Sequence, residues 1–224
     1  MAKYPKVNYI GNKEKLSDWI LSEMPVKEGT VLDLFAGGCS VSYALKAGGY
    51  RGISNDILYA DYVIARALVE NQDQRLEEDI FTRQVSDARV AELWAYFAFL
   101  EERLYYPAEV RELARLAAIA ETLEGDRRYL FLALLRRAMI RKLPYSRMNV
   151  PWNQIQRLRD EDYSYAKYGR KRAYHNQTFE SHMRENIDAY NQAVFAGAPC
   201  QACRLDALEL IRQMEPVDVV YMDP

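Results

Sequence analysis

The 224-residue chain has only three cysteines and two histidines. Three cysteines form no even set of pairs, so a disulfide-stabilised extracellular scaffold is not expected and a reducing, cytoplasmic setting fits best. Cys200 and Cys203 form a single C-x-x-C, but no second cysteine pair or suitably spaced histidine follows. Because zinc sites need further Cys or His ligands, we predict no metal site.

Long apolar runs and an excess of one charge are also missing. No run of about 18 apolar residues occurs, and residues 1–6 contain no apolar signal core. The sequence therefore predicts a protein that is neither membrane-spanning nor exported. The 30 basic and 32 acidic residues nearly cancel, and half of the chain is hydrophobic. This composition is typical of an ordinary folded protein with a sizeable core.

Hydrophobic patterning predicts a β-α-β unit near the N-terminus and more strands near the C-terminus. The order favours an α/β fold with a parallel, doubly wound sheet. The predicted elements are a helix at 13–24, a strand at 30–35, a helix from Ser40 to about Gly48, strands at 52–54, 200–205 and 217–221, and an amphipathic segment at 208–214.

A long, mainly helical segment separates these two groups of strands. Helices are predicted at 59–70, 87–104, 108–123, 126–143 and 181–195. We therefore predict two domains. Residues 1–64 and 196–224 carry the sheet, and residues 65–195 form a helical insertion.

A glycine turn and acidic residues at strand ends predict a site for a nucleoside-containing ligand. The turn comprises Asp33, Leu34, Phe35, Ala36, Gly37 and Gly38. Its glycines let the backbone approach a ligand closely, but the G-x-G-x-x-G spacing of dinucleotide sites is missing. Asp33 instead suits a cationic group, such as the ammonium of S-adenosylmethionine. Asp56, at the end of the next strand, can accept hydrogen bonds from ribose hydroxyls.

These motifs resemble those of the Dam-like, D12-class DNA adenine-N6 methyltransferases. Residues 33–40 resemble the first cofactor motif of that family, and Asn55 with Asp56 resembles the second. The resemblance implies a Rossmann-like methyltransferase sheet, S-adenosylmethionine as cofactor and double-stranded DNA as partner. It also implies that the inserted domain recognises the target.

Two further positions enter through the same resemblance. Residues 9–13 resemble the N-terminal motif that closes over the methionine part of the cofactor, with Tyr9 in the motif and Lys13 as the contact to the carboxylate. Asp206 resembles the acidic residue that holds the adenine amino group of the cofactor. The alternatives are a surface approach to the first helix for Tyr9 and Lys13, and a helix N-cap for Asp206.

The last residues, 221–224, resemble the first half of the Asp-Pro-Pro-Tyr catalytic motif of the family. The resemblance implies that the Asp223 carboxylate and the Pro224 carbonyl accept the two amino hydrogens of a flipped adenine, while positioning and electrostatics drive methyl transfer. The aromatic residue of the motif is missing. We therefore expect either a truncated form of a longer enzyme or one half of a split enzyme, completed by a second polypeptide.

Residues 141–175 are basic and rich in aromatics, with nine Lys or Arg against three Asp or Glu. Such a segment is suited to neutralising DNA phosphates, although a solvated charged loop over a helical core is the alternative. The predicted DNA contacts are Arg147, Asn149, Arg157, Arg159, Arg170, Lys171 and Arg172.

Several functions remain as alternatives to adenine-N6 methylation of DNA. One is a non-catalytic DNA- or S-adenosylmethionine-binding protein derived from such an enzyme. Another is an RNA or N4-cytosine methyltransferase, although Asp223 favours adenine because the cytosine enzymes more often carry Ser at that position. The glycine spacing disfavours a dehydrogenase.

Overall fold

A computed structural model describes residues 3–143, 150–169 and 173–223. The chain divides into two compact units. The sheet unit comprises Met1–Leu76, Gly125–Ala133 and Asp188–Pro224, and the helical unit comprises Glu77–Glu124 and Leu134–Ile187. Residues 65–76, 125–133 and 188–195 thus group with the sheet, whereas the sequence placed them in the insertion.

The described elements alternate between strands and helices in the sheet unit and are helical in the other unit. The strands are β1 (Thr30–Asp33), β2 (Arg51–Asn55), β3 (Gln201–Cys203) and β4 (Val219–Tyr221). The α-helices are α1 (Ser17–Ser22), α2 (Ser40–Ala47), α3 (Tyr59–Ile64), α4 (Asp87–Phe97), α5 (Pro107–Glu121), α6 (Gly125–Lys142), α7 (Trp152–Arg159), α8 (Glu161–Tyr168), α9 (Phe179–Arg184), α10 (Ile187–Ala193) and α11 (Ala207–Gln213). Short 3₁₀ helices cover Glu14–Leu16, Glu78–Thr82, Ala98–Leu100 and Ala173–Asn176, and a π-helix covers Ala65–Glu70.

The strands form a parallel sheet in the order β3-β2-β1-β4. Successive residues of β1 point to opposite faces, as strand geometry requires. Val31 packs on one face with Ile20 of α1 and Leu45 of α2, and Leu32 packs on the other with Leu210 of α11. The mixed α/β fold with a parallel sheet is therefore confirmed. All the strands end at one edge, which gathers the residues that follow them.

Several predicted elements differ from those observed. The predicted helix at 181–195 is two helices, α9 and α10, and the strands are shorter than their apolar runs suggested. The basic segment contains α7 and α8, neither of which was predicted. Helix α7 buries Ile155 and Leu158 on one face, and the Asp160 side chain caps α8 by accepting a hydrogen bond from the Tyr163 amide at 2.8 Å.

A buried charge cluster in the helical unit joins three helices. Glu109 of α5 accepts two hydrogen bonds from the Arg159 guanidinium of α7, at 2.9 and 2.5 Å, and pairs with Lys142 of α6 at 2.8 Å. Lys142 and Arg159 are only 1% and 5% exposed. Burial alone would raise the pKa of Glu109, but the two cations outweigh burial and hold that pKa below its ordinary value.

Replacing Glu109 with alanine should destabilise the helical unit strongly. The change leaves two buried cations without their carboxylate, and removing one partner of a buried ion pair typically costs about 3–5 kcal/mol. Denaturant titration would measure the loss of unfolding free energy. The control is Glu92→Ala, which removes an exposed partner of Arg89, where the loss should be far smaller because solvent screens the pair.

The same variant has a predictable pH dependence. Because the folded-state pKa of Glu109 is lowered, its stabilising effect is present above the unfolded pKa and is lost as the pH falls through the folded pKa. The difference between wild type and Glu109→Ala should therefore shrink below about pH 4. Equal stability losses in the Glu109 and Glu92 variants at neutral pH would contradict this account.

Candidate active site

The carboxyl edge of the sheet brings together acidic residues from distant parts of the sequence. Asp33 ends β1, Asp56 follows β2, Asp206 lies after β3, and Asp223 lies after β4. Asp33 stands in register with Ser54 of β2 and Tyr221 of β4. In open parallel α/β sheets, ligands bind in the crevice outside these strand ends.

Asp33 is a buried carboxylate that is only partly satisfied. It is 2% exposed, and its Oδ2 accepts a hydrogen bond of 2.6 Å from the Ser42 hydroxyl of α2. Among the described residues, its Oδ1 has no hydrogen-bond partner. Burial raises the pKa of Asp33 to about 6; hydrogen bonds from Ser42 oppose this rise, and the charges of Asp223 and Asp56 add to it. A ligand that brings a cationic donor would satisfy Oδ1 and favour the ionised form. Ser42 was not predicted.

The glycine turn leaves no room for side chains at Gly37 and Gly38. A Cβ on Gly37 would lie 2.8 Å from the ring of Tyr9, and one on Gly38 would lie 2.8 Å from the Tyr9 Cβ. Gly37 also has a positive φ of 49°, and Cys39 has a φ of 62°, which is a conformation that favours glycine. The N-terminal segment therefore lies against the turn through Tyr9.

Asp56 and Asn55 fix the backbone around the turn. The Asp56 carboxylate accepts hydrogen bonds from the amides of Gly37 at 3.0 Å and Leu58 at 2.9 Å. The buried Asn55 side chain donates to the carbonyls of Leu34 and Leu205 and accepts from the Leu205 amide. Asn55 thus ties together the ends of β1, β2 and β3. The sequence identified Asn55 and Asp56 as a motif, but it did not predict that their side chains would hydrogen-bond to the surrounding backbone.

A cavity of about 160 Å³ lies at this edge. The predicted residues that line it are Tyr9, Lys13, Asp33, Phe35, Ala36, Gly37, Gly38 and Asp223. Lys13 Nζ lies 2.5 Å from Asp223 Oδ2. Tyr221 also lines the cavity, and burial, followed by the charges of Asp223 and Asp33, raises the pKa of its hydroxyl. Most of the predicted cofactor residues therefore line the same cavity as the predicted catalytic carboxylate, Asp223.

Asp206 does not line this cavity and instead caps α11. Its side chain accepts hydrogen bonds from the amides of Leu208 at 2.9 Å and Glu209 at 3.3 Å. This is the N-cap that the sequence offered as an alternative. A contact to the adenine of a cofactor stays a prediction.

The two predicted DNA contacts that lie among the described residues, Arg157 and Arg159, differ in exposure. Arg157 is exposed on α7, with its guanidinium 4.9 Å from the ring centre of Tyr163. Arg159 lies on the opposite, buried side of α7, where its guanidinium is bound to Glu109 and Asn176. We therefore withdraw Arg159 as a phosphate contact. Outside the described residues lie the other predicted contacts and Pro224, namely Arg147, Asn149, Arg170, Lys171, Arg172 and Pro224.

The described residues contain neither a metal-binding cluster nor a membrane-spanning helix. No group of three or more His, Cys, Asp or Glu side chains is arranged there to hold a metal ion. In the same part of the chain, no helix combines the length and apolarity that a membrane span needs.

The parallel sheet, the glycine turn and the carboxylates at one edge define an α/β protein of the class whose members bind ligands at the strand ends. Comparison with known families is more specific: the chain belongs to the D12 class N6 adenine-specific DNA methyltransferase family, whose model matches residues 9–224. The prediction of this family is confirmed.

Two curated relatives are similar to the chain. Type II methyltransferase M2.HphI of Haemophilus parahaemolyticus is 46% identical over 228 residues, which cover 99% of this chain and 66% of that protein. Type II methyltransferase M.CviAII of Paramecium bursaria Chlorella virus 1 is 33% identical over 88 residues, covering 38% of this chain and 27% of the relative. The chain thus spans less than two thirds of each relative. No solved structure matches it significantly.

Replacing Asp33 with asparagine should stabilise the ligand-free protein at pH 7–8. The raised pKa means that the folded state keeps a proton between about pH 4 and pH 6 while the unfolded state loses it, so stability falls as the pH rises through this window. At pH 7–8, removing the charge should recover roughly 1–3 kcal/mol. Denaturant titrations at several pH values test this. The exposed Asp18 provides the control variant, Asp18→Asn, and an Asp33→Asn protein no more stable than wild type would refute the account.

Proposed function

We propose that this chain carries the cofactor site and a catalytic carboxylate of a DNA adenine-N6 methyltransferase. The reaction would transfer a methyl group from S-adenosylmethionine to an adenine flipped out of double-stranded DNA. The sheet unit would be a Rossmann-like methyltransferase domain, and the helical unit its target-recognition insertion. The observation that carries the proposal is the cavity that holds both the buried Asp33 and Asp223.

The chemistry of the cavity fits the amino-acid end of S-adenosylmethionine. Asp33 Oδ1, which is buried and lacks a partner among the described residues, is an acceptor for the ammonium. Lys13 provides a cation for the carboxylate. The volume of about 160 Å³ is below the ~300–1,000 Å³ usual for pockets that enclose a whole ligand. We therefore assign the cavity to the amino-acid end and propose that the nucleoside lies outside it, toward Asp56 and Asp206.

Asp223 is proposed to activate the target base. The lone pair of the exocyclic nitrogen of adenine is delocalised into the ring, which makes that nitrogen a poor nucleophile. A carboxylate that accepts one amino hydrogen favours a tetrahedral nitrogen, and the Pro224 carbonyl is proposed to accept the other. Bound S-adenosylmethionine supplies an electrophilic methyl group on sulfur. The protein then contributes position and electrostatic stabilisation, and the proton leaves after methylation.

The exposed face of α7 is proposed to read DNA. Asn153, Gln154, Gln156 and Arg157 are exposed, whereas the opposite side of the helix is anchored by Arg159. An edge-to-face contact between Trp152 and Tyr106, with ring centres 5.0 Å apart, holds the start of the helix. Amide side chains can pair with adenine edges, and arginine can bind guanine or phosphate.

Labelled methyl transfer to duplex DNA tests the proposal directly. The purified protein, alone or with the polypeptide that completes its catalytic motif, should produce N6-methyladenine, detected by mass spectrometry of the nucleosides, and Asp223→Ala should abolish the product. Asp33→Asn should weaken S-adenosylmethionine binding about 10- to 150-fold in calorimetry, because a hydrogen bond to a charged group contributes ~1.5–3 kcal/mol. Asp18→Asn should leave both readouts unchanged.

The outcomes separate the alternatives. Cofactor and DNA binding without methyl transfer would favour the non-catalytic binding protein. Transfer that appears only when a second polypeptide is added would favour the split enzyme. Absence of cofactor binding by the wild type would refute the assignment of the cavity.

Replacing Arg157 with glutamine should weaken DNA binding to all sequences and reduce its dependence on salt. Each phosphate contact contributes about 0.9 to the slope of log K against log salt concentration, so the slope should fall by about one. Fluorescence anisotropy at several salt concentrations measures it. Arg89→Gln, which changes an exposed arginine of α4 in the same unit, is the matched control. Identical slopes for the wild type and the Arg157 variant would place the interface elsewhere.

A further inference from the structure

We propose that Lys13 is a positioning residue that exchanges partners, from Asp223 in the ligand-free protein to the carboxylate of the cofactor. Asp223 would then be available to the target base only after the cofactor is bound. The inference rests on the proposed function and deepens it, since it makes cofactor binding a condition for binding the base productively.

The ion pair between Lys13 and Asp223 joins two side chains proposed for different substrates. Lys13 Nζ lies 2.5 Å from Asp223 Oδ2 and donates a second hydrogen bond to the Gly11 carbonyl at 3.2 Å. The side chains are 32% and 38% exposed, so a ligand can reach both. In this pairing, one of the two carboxylate oxygens of Asp223 is already bound to an ammonium group, which competes with an amino hydrogen of the base for that carboxylate.

The backbone around Lys13 is held in place by hydrogen bonds that do not involve its side chain. The Lys13 amide donates to the Ser40 hydroxyl at 3.1 Å, at the start of α2, and the Lys13 carbonyl accepts from the Ser17 hydroxyl at 3.1 Å. The four-carbon stem of lysine carries a compact charge that can rotate between neighbouring acceptors. Movement of Nζ therefore needs no movement of the chain.

Asp223 is also placed by a fixed backbone. The strand before it is paired with β1, and the Leu34 amide donates to the Tyr221 carbonyl at 3.1 Å. The two carboxylates of the cavity thus stand at the ends of adjacent strands, Asp33 as the last residue of β1 and Asp223 two residues after β4. The two carboxylates are near enough to each other for the charge of Asp223 to raise the pKa of Asp33.

Charge complementarity determines which partner each group takes. Among the described residues that line the cavity, Lys13 is the one cation, facing Asp33 and Asp223. An amino-acid ligand adds one ammonium and one carboxylate. Asp33 Oδ1, a buried acceptor that lacks a partner among the described residues, suits the ammonium, and the carboxylate competes with Asp223 for Lys13. One partly exposed ion pair replaces another. Because such solvent-exposed pairs each contribute little, the exchange is nearly balanced and reversible.

The test compares two ligands that differ only in the carboxylate: S-adenosylhomocysteine and its decarboxylated amine. Removing the Asp223 charge in Asp223→Asn frees Lys13, so the ligand with a carboxylate should gain affinity relative to the amine. The ratio of the affinity for S-adenosylhomocysteine to the affinity for the amine should rise up to about fivefold, which is ~1 kcal/mol. Isothermal calorimetry measures both ligands, and the loss of a negative charge near their shared ammonium cancels in the ratio.

Lys13→Met supplies the matched variant. Alone, it should lower the ratio of the two affinities, and adding Asp223→Asn to it should change the ratio no further, because Lys13 mediates the effect. If Asp223→Asn leaves the ratio unchanged when Lys13 is present, or if the ratio shifts equally without Lys13, the exchange is wrong. Wild-type protein that binds neither ligand would overturn the proposed function and this inference together, whereas an unchanged ratio overturns the exchange alone.

Discussion

The site depends on a carboxylate kept inside the protein at the end of β1. Asp33 is buried against α2, where Ser42 binds one of its oxygens, and its pKa of about 6 reflects the cost of holding a charge there. Functional sites often contain residues that lower the stability of the ligand-free fold, because function and stability place different demands on the same position. The other members of the site are placed around this group.

The parallel sheet makes that placement possible. Its strands all end at one edge, so side chains far apart in the sequence meet within one cavity. Asn55 holds the ends of three strands through its amide group, and the Asp56 carboxylate holds the amide of Gly37. Both residues thus hydrogen-bond to the backbone of the turn and of the strand ends, whether or not a ligand is bound. A loss of binding in an Asp56 variant would therefore report on the turn as well as on a direct contact.

Much of this arrangement could be predicted from local signals. The apolar runs and the glycine turn locate β1, α2 and β2, because a strand followed by small residues and a helix leaves a clear pattern. Contacts over long separations left no such pattern. Lys13 and Asp223 are paired across almost the whole chain, and Ser42 reads as an ordinary helical residue. Asp33 is buried with one oxygen satisfied among the described residues, and this follows from packing, which sequence periodicity does not specify.

The basic segment shows why charge counts overstate a nucleic-acid surface. Arg157 and Arg159 are two residues apart and carry the same charge, yet α7 turns one outward and buries the other against Glu109. Lys142 is buried in the same cluster. At least two of the nine basic residues between 141 and 175 are therefore engaged in holding the helical unit together. The number of phosphates that the segment can neutralise is therefore smaller than its composition suggests.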